Sequence, residues 1–557
     1  MTSLNQHRRS FIPQLPDSLK NFSHLRFLKE EVPTVTDPEV KELINNTADQ
    51  PLLRLDRSDT PYSKALNVGV VLSGGQASGG HNVITGLYDA LQLFSKESRL
   101  IGFLEGPSGI VNCQTTELTR EVVDEYRNSG GFDMIGSGRT KIETEEQFTA
   151  AKETATKLNL DGLVIIGGDD SNTNAALLAE YFVKNQVPTR VVGVPKTIDG
   201  DLKNEHIEIS FGFDTATKTY SEIIGNIARD ALSAGKYYFF IKIMGRSASH
   251  VALECALKTH PNFTIISEEV AAKKKTLKQL SHEICDMICE RASQGKHHGV
   301  VVIPEGAIEF IPEFKVLITE LNDLLSKEEH SDAIGGINDR TERVRYVAGL
   351  LTNESMECYQ TLPPEIQLQL ILDRDPHGNV QVSKIESERL FIELAKAELK
   401  RRKNNGNITG KFSAQPFFCG YEGRSCLPSN FDAQYCYALG HTAALIIRSD
   451  LTGYMSCVQN LTAPATDWNI AGIPISTMMV MEKRKGKLKP VIRKALVELD
   501  GAPFTMFTQG RESWKLSDDY IYPGPIQFFG PEEVTNSVTI TLSEERRHLF
   551  GYADYTN

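Results

Sequence analysis

Residues 161–174 read Asp-Gly-Leu-Val-Ile-Ile-Gly-Gly-Asp-Asp-Ser-Asn-Thr-Asn, an apolar run followed by two glycines and two acids. The run Gly162–Ile166 is continuously apolar, which is typical of a parallel strand buried on both faces. A helical pattern over Thr173–Lys184 comes next. A strand, a glycine turn and a helix in succession form the repeating unit of α/β folds. This stretch therefore predicts an α/β fold with acidic groups at the carboxyl end of a buried strand.

The same unit recurs on both sides of this stretch. Further strands are predicted at Asn67–Leu72, Leu100–Leu104, Arg190–Val194, Tyr237–Ile243, Phe263–Ile266 and Gly299–Ile303. Further helices are predicted at Asn82–Phe94, Glu145–Leu158, Leu277–Ala292 and Ala433–Ile447. Because 557 residues exceed what one hydrophobic core supports, we expect two or more domains.

Other segments differ in character from this α/β pattern. Residues 1–63 are polar and punctuated by proline, which predicts an N-terminal extension that wraps a core. Residues from about 310 to 410 are charged and mostly helical in pattern, most clearly over Phe314–Lys327 and Val382–Lys403. We expect them to form a helical insertion in the second α/β domain, and we expect residues 551–557 to form a tail.

Composition and charge argue against several classes of partner. The formal net charge of −12 disfavours general binding of nucleic acid or of an anionic membrane. No run approaches the 18 apolar residues of a membrane span. The nine cysteines lack disulfide or zinc spacing, and the N-terminus lacks the apolar core of a signal peptide. We therefore expect reduced thiols in a cytoplasmic protein.

Two turns after predicted strands carry groups suited to phosphate and metal. Gly74-Gly75 can direct backbone N–H groups at an anion, although tight packing explains the same glycines. Asp169 and Asp170 lie where α/β sheets place their ligands, and Asp169 suits Mg²⁺, which binds oxygen ligands beside substrate phosphates. The structural alternative is that Asp170 or Ser171 caps the following helix.

A third turn groups a cation, a hydroxyl and two acids. Lys196, Thr197, Asp199 and Asp201 follow the strand Arg190–Val194. Phosphoryl transfer needs a base to orient the nucleophilic hydroxyl and positive charge to stabilise the transferring group. A plain loop can contain the same residues.

Three further strings place a polar residue beside glycine. They are Met244-Gly245-Arg246, Ile303-Pro304-Glu305-Gly306 and Gly420-Tyr421-Glu422-Gly423-Arg424. The guanidinium group of Arg246 can donate two hydrogen bonds to a phosphate or bind sugar oxygens. The alternatives are that Arg246 is an ordinary surface arginine and that the other two strings form ordinary tight turns.

Taken in this order, the segments resemble the phosphofructokinase superfamily, and specifically its long, pyrophosphate-dependent form, over residues 64–550. The resemblance implies two Rossmann-like α/β domains. Residues 64–242 would form a donor domain for pyrophosphate and Mg²⁺, and residues 243–550 a sugar-phosphate domain. The implied reaction is reversible transfer of a phosphoryl group from pyrophosphate to the 1-hydroxyl of fructose 6-phosphate, giving fructose 1,6-bisphosphate and phosphate.

The resemblance also implies roles for individual residues. Gly75 would touch pyrophosphate, and Asp169 would bind Mg²⁺. Asp199 would take the proton from the sugar hydroxyl, with Thr197 beside it and Asp201 assisting the metal or the charge network. The implied contacts to fructose 6-phosphate are Thr197, Ile198, Asp199, Lys236, Tyr237, Met244, Gly245, Arg246, Glu305, Tyr421, Glu422, Gly423 and Arg424.

One of these stretches also implies an assembly. Lys236 and Tyr237 correspond to a stretch that the family donates across a subunit interface. The resemblance therefore implies a homodimer, or a larger assembly, with a site shared between subunits. The small-molecule partners that it implies are fructose 6-phosphate and pyrophosphate.

Two positions decide the phosphoryl donor within this resemblance. ATP-using relatives have glycine where this chain has Asp170 and Lys196. A carboxylate at position 170 fills the space of a nucleotide's α-phosphate and repels its charge, by on the order of several kcal/mol in a partly desolvated site. Lys196 places a cation where the leaving phosphate departs.

Ser78 stands where the family usually has proline, and we expect little functional loss from it.

Three other functions compete with this interpretation. They are an ATP-dependent phosphofructokinase, a non-catalytic regulatory subunit, and a general sugar-phosphate or nucleotide binding module. Asp170 and Lys196 argue against the first, and the presence of both Asp169 and Asp199 argues against the second. The third explains the glycine turns but not the clusters of Asp, Lys and Thr.

Overall fold

The computed structural model describes residues 8–372, 380–381, 384–405, 412–484, 487–526 and 536–550. Its strands are β1 (Leu25–Pro33), β2 (Pro51–Arg57), β3 (Asn67–Leu72), β4 (Arg99–Phe103), β5 (Thr115–Glu117), β6 (Gly162–Gly167), β7 (Arg190–Pro195), β8 (Tyr238–Ile243), β9 (Phe263–Thr264), β10 (Gly299–Pro304), β11 (Ala414–Cys419), β12 (Tyr454–Gln459), β13 (Asn469–Pro474), β14 (Met479–Arg484) and β15 (Lys487–Ile492).

The α-helices alternate with these strands over much of the chain. They are α1 (Pro38–Leu43), α2 (Gly80–Phe94), α3 (Pro107–Val111), α4 (Arg120–Glu125), α5 (Glu145–Lys157), α6 (Asp169–Lys184), α7 (Phe213–Ala234), α8 (His250–Thr259), α9 (Ser267–Ala272), α10 (Leu277–Ser293), α11 (Pro312–Leu325), α12 (Glu328–Gly336), α13 (Arg340–Ala348), α14 (Asn353–Gln360), α15 (Pro364–Leu372), α16 (Ser387–Asn404), α17 (Glu422–Ser425), α18 (Asn430–Arg448), α19 (Ala502–Leu516) and α20 (Ile540–Phe550).

The chain divides into two compact units, each assembled from three segments of the sequence. Unit 1 comprises Met1–Ala216, Tyr421–Ala495 and Ile526–Arg546. Unit 2 comprises Thr217–Gly420, Leu496–Pro525 and Arg547–Asn557. The units are discontinuous, whereas the predicted domains 64–242 and 243–550 are continuous, and the assignment of functions to those domains stays a prediction.

Unit 1 is built on a nine-stranded sheet with the order β1-β2-β13-β12-β7-β6-β3-β4-β5. The five strands from β12 to β4 are parallel, and β5, β13, β2 and β1 complete the sheet in antiparallel pairs. Strands β3, β6 and β7 lie side by side and are almost wholly buried, as their continuous apolar runs predict. Adjacent parallel strands bring their carboxyl ends, and the turns that follow them, to one edge.

The N-terminal extension forms part of this sheet. Strands β1 and β2 form an antiparallel pair, and Leu53 of β2 pairs with Gly472 of β13. The carboxylate of Glu180 fixes the turn after α1, because it accepts hydrogen bonds from the backbone N–H of Thr47 at 2.9 Å and of Asn46 at 3.1 Å. Neither of these strands was among those predicted from the sequence.

Unit 2 contains a parallel four-stranded sheet with the order β11-β8-β10-β9. Its buried core extends from β8 and β10 into the helices α11 to α16. The predicted helices Phe314–Lys327 and Val382–Lys403 correspond to α11 and α16, although residues 382–383 and the predicted tail 551–557 lie outside the described residues. The predicted α/β fold class with two domains is confirmed.

Two further findings concern the whole described chain. All nine cysteines are free thiols, as their spacing predicts. Within the part of the chain that the structure describes, no helix is both long enough and apolar enough to cross a membrane.

Candidate active site

The predicted turns of unit 1 meet at the carboxyl ends of β3, β6 and β7. Ser73, just after β3, donates its backbone N–H to the carbonyl of Ile166 at 2.8 Å. Lys196, just after β7, donates its backbone N–H to the carbonyl of Gly167 at 3.0 Å. The side chain of Asn172 donates to the carbonyls of Gly167 at 2.6 Å and Gly168 at 2.9 Å. These bonds join the three turns at one edge of the sheet.

Asp169 and Asp170 occupy the first turn of α6. The N-cap residue is Gly168, and no side chain caps the helix there. The alternative that Asp170 or Ser171 caps this helix is therefore wrong, and the hydroxyl of Ser171 instead donates to Ser73 Oγ at 2.7 Å. Acids in the first turn are favoured by the positive end of the helix dipole. The helix thus holds two carboxylates at the edge where ligands are expected.

Lys196 is a buried cation beside the glycine turn, with only 6% of the residue exposed. A Cβ on Gly74 would lie 3.3 Å from Lys196 Nζ, so the ammonium group packs directly against this turn. Burial lowers the pKa of Lys196 to about 8, although Asp199, Asp169 and Asp201 act in the opposite direction. The lysine is therefore mainly in its ammonium form at neutral pH, in a buried position.

The turn after Lys196 orients Asp199. The backbone N–H of Asp199 donates to Thr197 Oγ1 at 3.1 Å, and Ser210 Oγ donates to the carbonyl of Thr197 at 3.0 Å. Gly200 has a φ of +73°, a conformation that favours glycine and lets the chain reverse there. Asp199 and Thr197 are half-buried, whereas Ile198 is buried. This turn presents one carboxylate and one hydroxyl at the edge of the sheet.

A second lysine, which the sequence did not reveal, lies among the acids. Lys494 Nζ is 3.3 Å from Asp201 Oδ2 and 3.7 Å from Asp169 Oδ2. Burial acts to lower the pKa of Lys494, but Asp169, Asp201 and Asp199 outweigh it and raise the pKa above its usual value. Burial, with Asp169, raises the pKa of Asp201, while Lys494 opposes this change. Three carboxylates and two ammonium groups therefore share this site.

Two of these acids suit a divalent cation. Among the described residues, no three His, Cys, Asp or Glu side chains are grouped to hold a metal. Mg²⁺ in phosphoryl-transfer sites is usually held by one or two carboxylates together with substrate phosphates. Asp169 and Asp201, which contact the same ammonium group, provide such a pair. The donor set therefore fits a cation that is shared with a phosphate substrate.

Two arginines lie over the glycine turn. A Cβ on Gly75 would be 3.7 Å from Arg424 Nη1 and 3.8 Å from Arg139 Nη2. Arg424 also stacks on Tyr421, with its Cζ 4.6 Å from the ring centroid. Arg139 was missed in the sequence, although it follows a glycine and a serine in the turn Gly136–Lys141. The turn around Gly75 is thus open to an anion and is flanked by two guanidinium groups.

Asp170 has a cationic neighbour of its own. Its Oδ1 is 3.1 Å from Lys141 Nζ, and the two side chains are 50% and 38% exposed. This pair was not predicted. Because both groups are partly solvated, the pair contributes little to the stability of the fold.

The departure at Ser78 has a structural explanation. Ser78 is buried, and its hydroxyl donates to the carbonyl of Cys426 at 2.6 Å. Gln76 of the same loop accepts a hydrogen bond from Ser425 Oγ at 2.6 Å. The serine thus ties the glycine loop to the segment that includes Arg424.

The other residues of the 421–424 string are exposed to different degrees. Tyr421 is 64% exposed, and Glu422 is also exposed. Gly423 is buried, and Arg424 is half-buried. The four residues span the start of the short helix α17.

In unit 2, the predicted sugar residues meet at the carboxyl ends of β8 and β10. Pro304 pairs with Ile243, and Glu305 donates its backbone N–H to the carbonyl of Ile243 at 2.8 Å. A Cβ on Gly306 would meet the carbonyl of Arg246, so only glycine allows this close approach. The structure therefore brings together the segments Met244–Arg246 and Glu305.

The charged groups at this edge differ in burial. Glu305 is 6% exposed, and burial raises its pKa above the usual value although Lys242 opposes the shift. Arg246 is 52% exposed and pairs with Glu309 at 3.3 Å. Met244 is half-buried, and Gly245, at a φ of +130°, is buried. The edge combines a buried acid with an accessible cation.

Lys236 and Tyr237 lie at the other end of β8. Lys236 is exposed, and its Nζ lies 5.2 Å from the ring centroid of Tyr237. The six residues of β8 separate this pair from Met244, which is roughly 20 Å of extended chain. Within one chain, the pair and the Met244–Arg246 segment therefore cannot contact the same sugar phosphate.

Comparison with known proteins identifies the family. The family model described as phosphofructokinase matches residues 67–346. A pyrophosphate–fructose 6-phosphate 1-phosphotransferase of Treponema pallidum is 51% identical over 556 residues, which cover 98% of this chain and 97% of the relative. The chain belongs to the phosphofructokinase family, and the predicted resemblance to its long, pyrophosphate-dependent form is confirmed.

Two further comparisons support this assignment. Subunit beta 1 of the pyrophosphate–fructose 6-phosphate 1-phosphotransferase of Arabidopsis thaliana is 53% identical, over 90% of this chain and 88% of its own length. The crystal structure of a pyrophosphate-dependent phosphofructokinase from Nitrosospira multiformis aligns with a TM-score of 0.54, covering 86% of this chain and 98% of that one. At 14% identity the structural likeness supports the fold alone.

Proposed function

We propose that this protein is a pyrophosphate:fructose-6-phosphate 1-phosphotransferase. The observation that carries the proposal is Lys196, a buried ammonium group against Gly74 and near Asp169. A fixed cation at this place can stabilise the phosphate that leaves pyrophosphate, and it costs no reorganisation during the reaction. The relatives that match nearly the whole chain carry the name of this activity.

The half-buried Asp199 is the proposed base. Its carboxylate accepts the proton of the sugar 1-hydroxyl as that oxygen attacks the phosphorus atom, while Thr197 holds the turn. The bond from phosphorus to the bridging oxygen breaks, and the electron pair leaves with phosphate beside Lys196. No covalent enzyme intermediate is needed, because positioning and charge stabilisation suffice for phosphoryl transfer. The bonds broken and formed are similar, so the reaction runs in both directions.

Asp169 and Asp201 are the proposed holders of Mg²⁺. When bound, the ion supplies positive charge to the phosphate oxygens as charge develops on them. Gly75 offers its backbone to pyrophosphate, with Arg139 as an additional cation over the turn. Asp170 disfavours a donor that has a further phosphate and a nucleoside.

Fructose 6-phosphate is the proposed acceptor of the phosphoryl group, and each unit has residues that are proposed to bind it. In unit 2, Arg246 and Glu305 contact the sugar phosphate and its hydroxyls, and Met244 and Gly245 shape the surface beside them. In unit 1, the contacts come from Ile198 and from the segment 421–424. Guanidinium groups suit this task because their fork matches phosphate oxygens.

A homodimer, or a larger assembly, is part of the proposal. Lys236 and Tyr237 are far along β8 from Met244, so a sugar contact from this pair requires the site of another subunit. A cytoplasmic location, where the sugar phosphate and pyrophosphate are available, also belongs to the proposal.

The direct test measures fructose 6-phosphate phosphorylation with Mg²⁺ and either pyrophosphate or ATP. Wild type should use pyrophosphate, and Asp170→Gly should shift the ratio of kcat/KM values toward ATP by at least about tenfold, about 1.4 kcal/mol. Glu146→Gly, which removes an exposed acid from the first turn of α5, is the matched control and should leave the ratio unchanged. A wild-type preference for ATP would show that the donor assignment is wrong.

A further inference from the structure

Lys494 contacts both acids that are proposed to hold Mg²⁺, although no sequence motif marks it. Its Nζ is 3.3 Å from Asp201 Oδ2 and 3.7 Å from Asp169 Oδ2. Only 35% of its side chain is exposed, compared with 8% for Asp201. A single ammonium group therefore occupies the position from which both carboxylates can be reached.

Backbone hydrogen bonds on both sides fix the position of this lysine. Ile492 donates its backbone N–H to Thr173 Oγ1 at 3.1 Å, and that hydroxyl donates to the carbonyl of Asp169 at 2.9 Å. Ala495 donates its backbone N–H to the carbonyl of Asp201 at 2.8 Å. Residues 492–495, from the end of β15 onward, are thus bonded to the same two segments that contain the acids. The fold thus fixes the backbone on both sides of Lys494, and the two ion pairs with Asp169 and Asp201 place its ammonium group.

The charge balance at this position distinguishes a free metal ion from a metal–pyrophosphate complex. A free divalent cation that enters beside Lys494 meets a like charge a few ångströms away in a partly desolvated site. The complex of one divalent cation with pyrophosphate is a net anion, so its arrival adds negative charge that an ammonium group can pair with. The lysine therefore opposes binding of the free cation and is compatible with binding of the metal–pyrophosphate complex.

We propose that Lys494 holds Asp169 and Asp201 in place of a divalent cation until metal and pyrophosphate arrive together, and so disfavours binding of the free cation. Lys494 is a positioning residue in this proposal, because it affects metal binding through the two carboxylates with which it pairs. The identity of the anion rests on the proposed function, whereas the competition with a free cation does not.

The test measures the binding of Mn²⁺, as a paramagnetic substitute for Mg²⁺, to the full-length protein without substrates. In electron paramagnetic resonance titrations, Lys494→Met should bind free Mn²⁺ at least about tenfold more tightly than wild type, because a competing charge is removed. Lys494→Gln should behave like Lys494→Met, and Lys494→Arg should behave like wild type. Unchanged or weaker Mn²⁺ binding by both neutral variants would overturn the proposal.

Two controls separate this effect from a general change in charge. Lys489→Met removes a half-buried cation of β15 that pairs with Glu143, and it should not change Mn²⁺ affinity. Adding Asp169→Asn to Lys494→Met should abolish the gain, because the gain requires the carboxylate pair. An equal gain in Lys489→Met, or a gain that survives Asp169→Asn, would contradict the proposed mechanism.

Pyrophosphate supplies the second half of the test. With saturating pyrophosphate, the difference in Mn²⁺ affinity between wild type and Lys494→Met should narrow to about twofold or less, since the ammonium group then has an anion to pair with. A difference that stays tenfold would overturn the exchange role. If the Mn²⁺ results hold but pyrophosphate supports no turnover, the proposed function fails and the cation competition stands. If turnover occurs but Mn²⁺ affinity does not respond to Lys494, only this inference fails.

Discussion

The carboxyl ends of the parallel strands occupy equivalent places in the two units but hold charge in different ways. In unit 1, the carboxylates of Asp169 and Asp201 lie close to the ammonium group of Lys494, and the buried Lys196 is affected by the same acids. In unit 2, the cation Arg246 is 52% exposed and pairs with the partly exposed Glu309. One edge neutralises its charges internally, and the other presents a charge to solvent.

This difference indicates a division of tasks. Charges that are fixed and partly desolvated before the substrate arrives act on the charge that develops during a reaction, so their loss lowers kcat. An exposed cation acts on an anion that is already present in the substrate, so its loss raises KM. Substitutions at the two edges should therefore differ in kind as well as in size.

The largest effect is expected at Asp199. Asp199→Asn removes the proposed base but keeps the shape of the side chain, so kcat with pyrophosphate should fall by about 10²- to 10⁴-fold. Fructose 6-phosphate binding, measured by isothermal titration calorimetry, should stay within a few-fold of wild type. Asp450→Asn, at an acid of unit 1 that is 85% exposed, is the control and should retain wild-type turnover. Unchanged turnover in Asp199→Asn would remove Asp199 from the chemistry.

The next largest effect is expected at Lys196. Lys196→Met removes the buried cation and should lower kcat by about 10²- to 10³-fold, as for other fixed groups that stabilise developing negative charge. Because burial lowers the pKa of Lys196 to about 8, wild-type turnover should also fall as the pH rises from 7 to 9. The fall reflects loss of the ammonium form.

The stability of the fold should respond to pH in the opposite direction. Above pH 8 the folded protein has released this proton while the unfolded chain still binds it, so Lys196 makes the free energy of unfolding rise with pH. Denaturant unfolding of wild type and Lys196→Met between pH 7 and 9 isolates this contribution as the difference between their slopes. Parallel slopes, or a turnover of Lys196→Met that falls with pH as steeply as that of wild type, would contradict the assignment.

The bounds of the central strands were predicted closely from the sequence, because strands that are buried on both faces consist of continuous apolar runs. Strand β3 was predicted with its observed bounds, and β6 and β7 were predicted to within one residue. Strand β1 was missed because it has an exposed half that includes Lys29, Glu30 and Glu31. A strand at the edge of a sheet obtains its stability from backbone pairing, which leaves a weak pattern in side-chain polarity.

The site was predicted where a polar residue follows a buried strand within two positions, as at Asp169 and Lys196. Arg139 was missed because its turn follows no predicted strand and is joined to the site by the hydrogen bond from Gly74 N to the carbonyl of Gly138 at 2.9 Å. Lys494 was missed for a stronger reason. Its contact with Asp201 depends on the hairpin of β14 and β15, and no local sequence pattern predicts that this hairpin brings Lys494 to Asp201.

The smallest of the expected effects tests the exposed edge. Arg246→Ala removes a charged hydrogen-bond donor worth about 1.5 kcal/mol or more, so KM for fructose 6-phosphate should rise by about tenfold while kcat changes by less than about threefold. Glu309→Gln is the matched control, because it releases Arg246 from its rim partner without removing the guanidinium group, and KM should then stay the same or fall. Steady-state kinetics at saturating pyrophosphate separates the two parameters. If Arg246→Ala lowered kcat as strongly as Lys196→Met, the exposed edge would belong to the chemistry and the division between the two edges would be wrong.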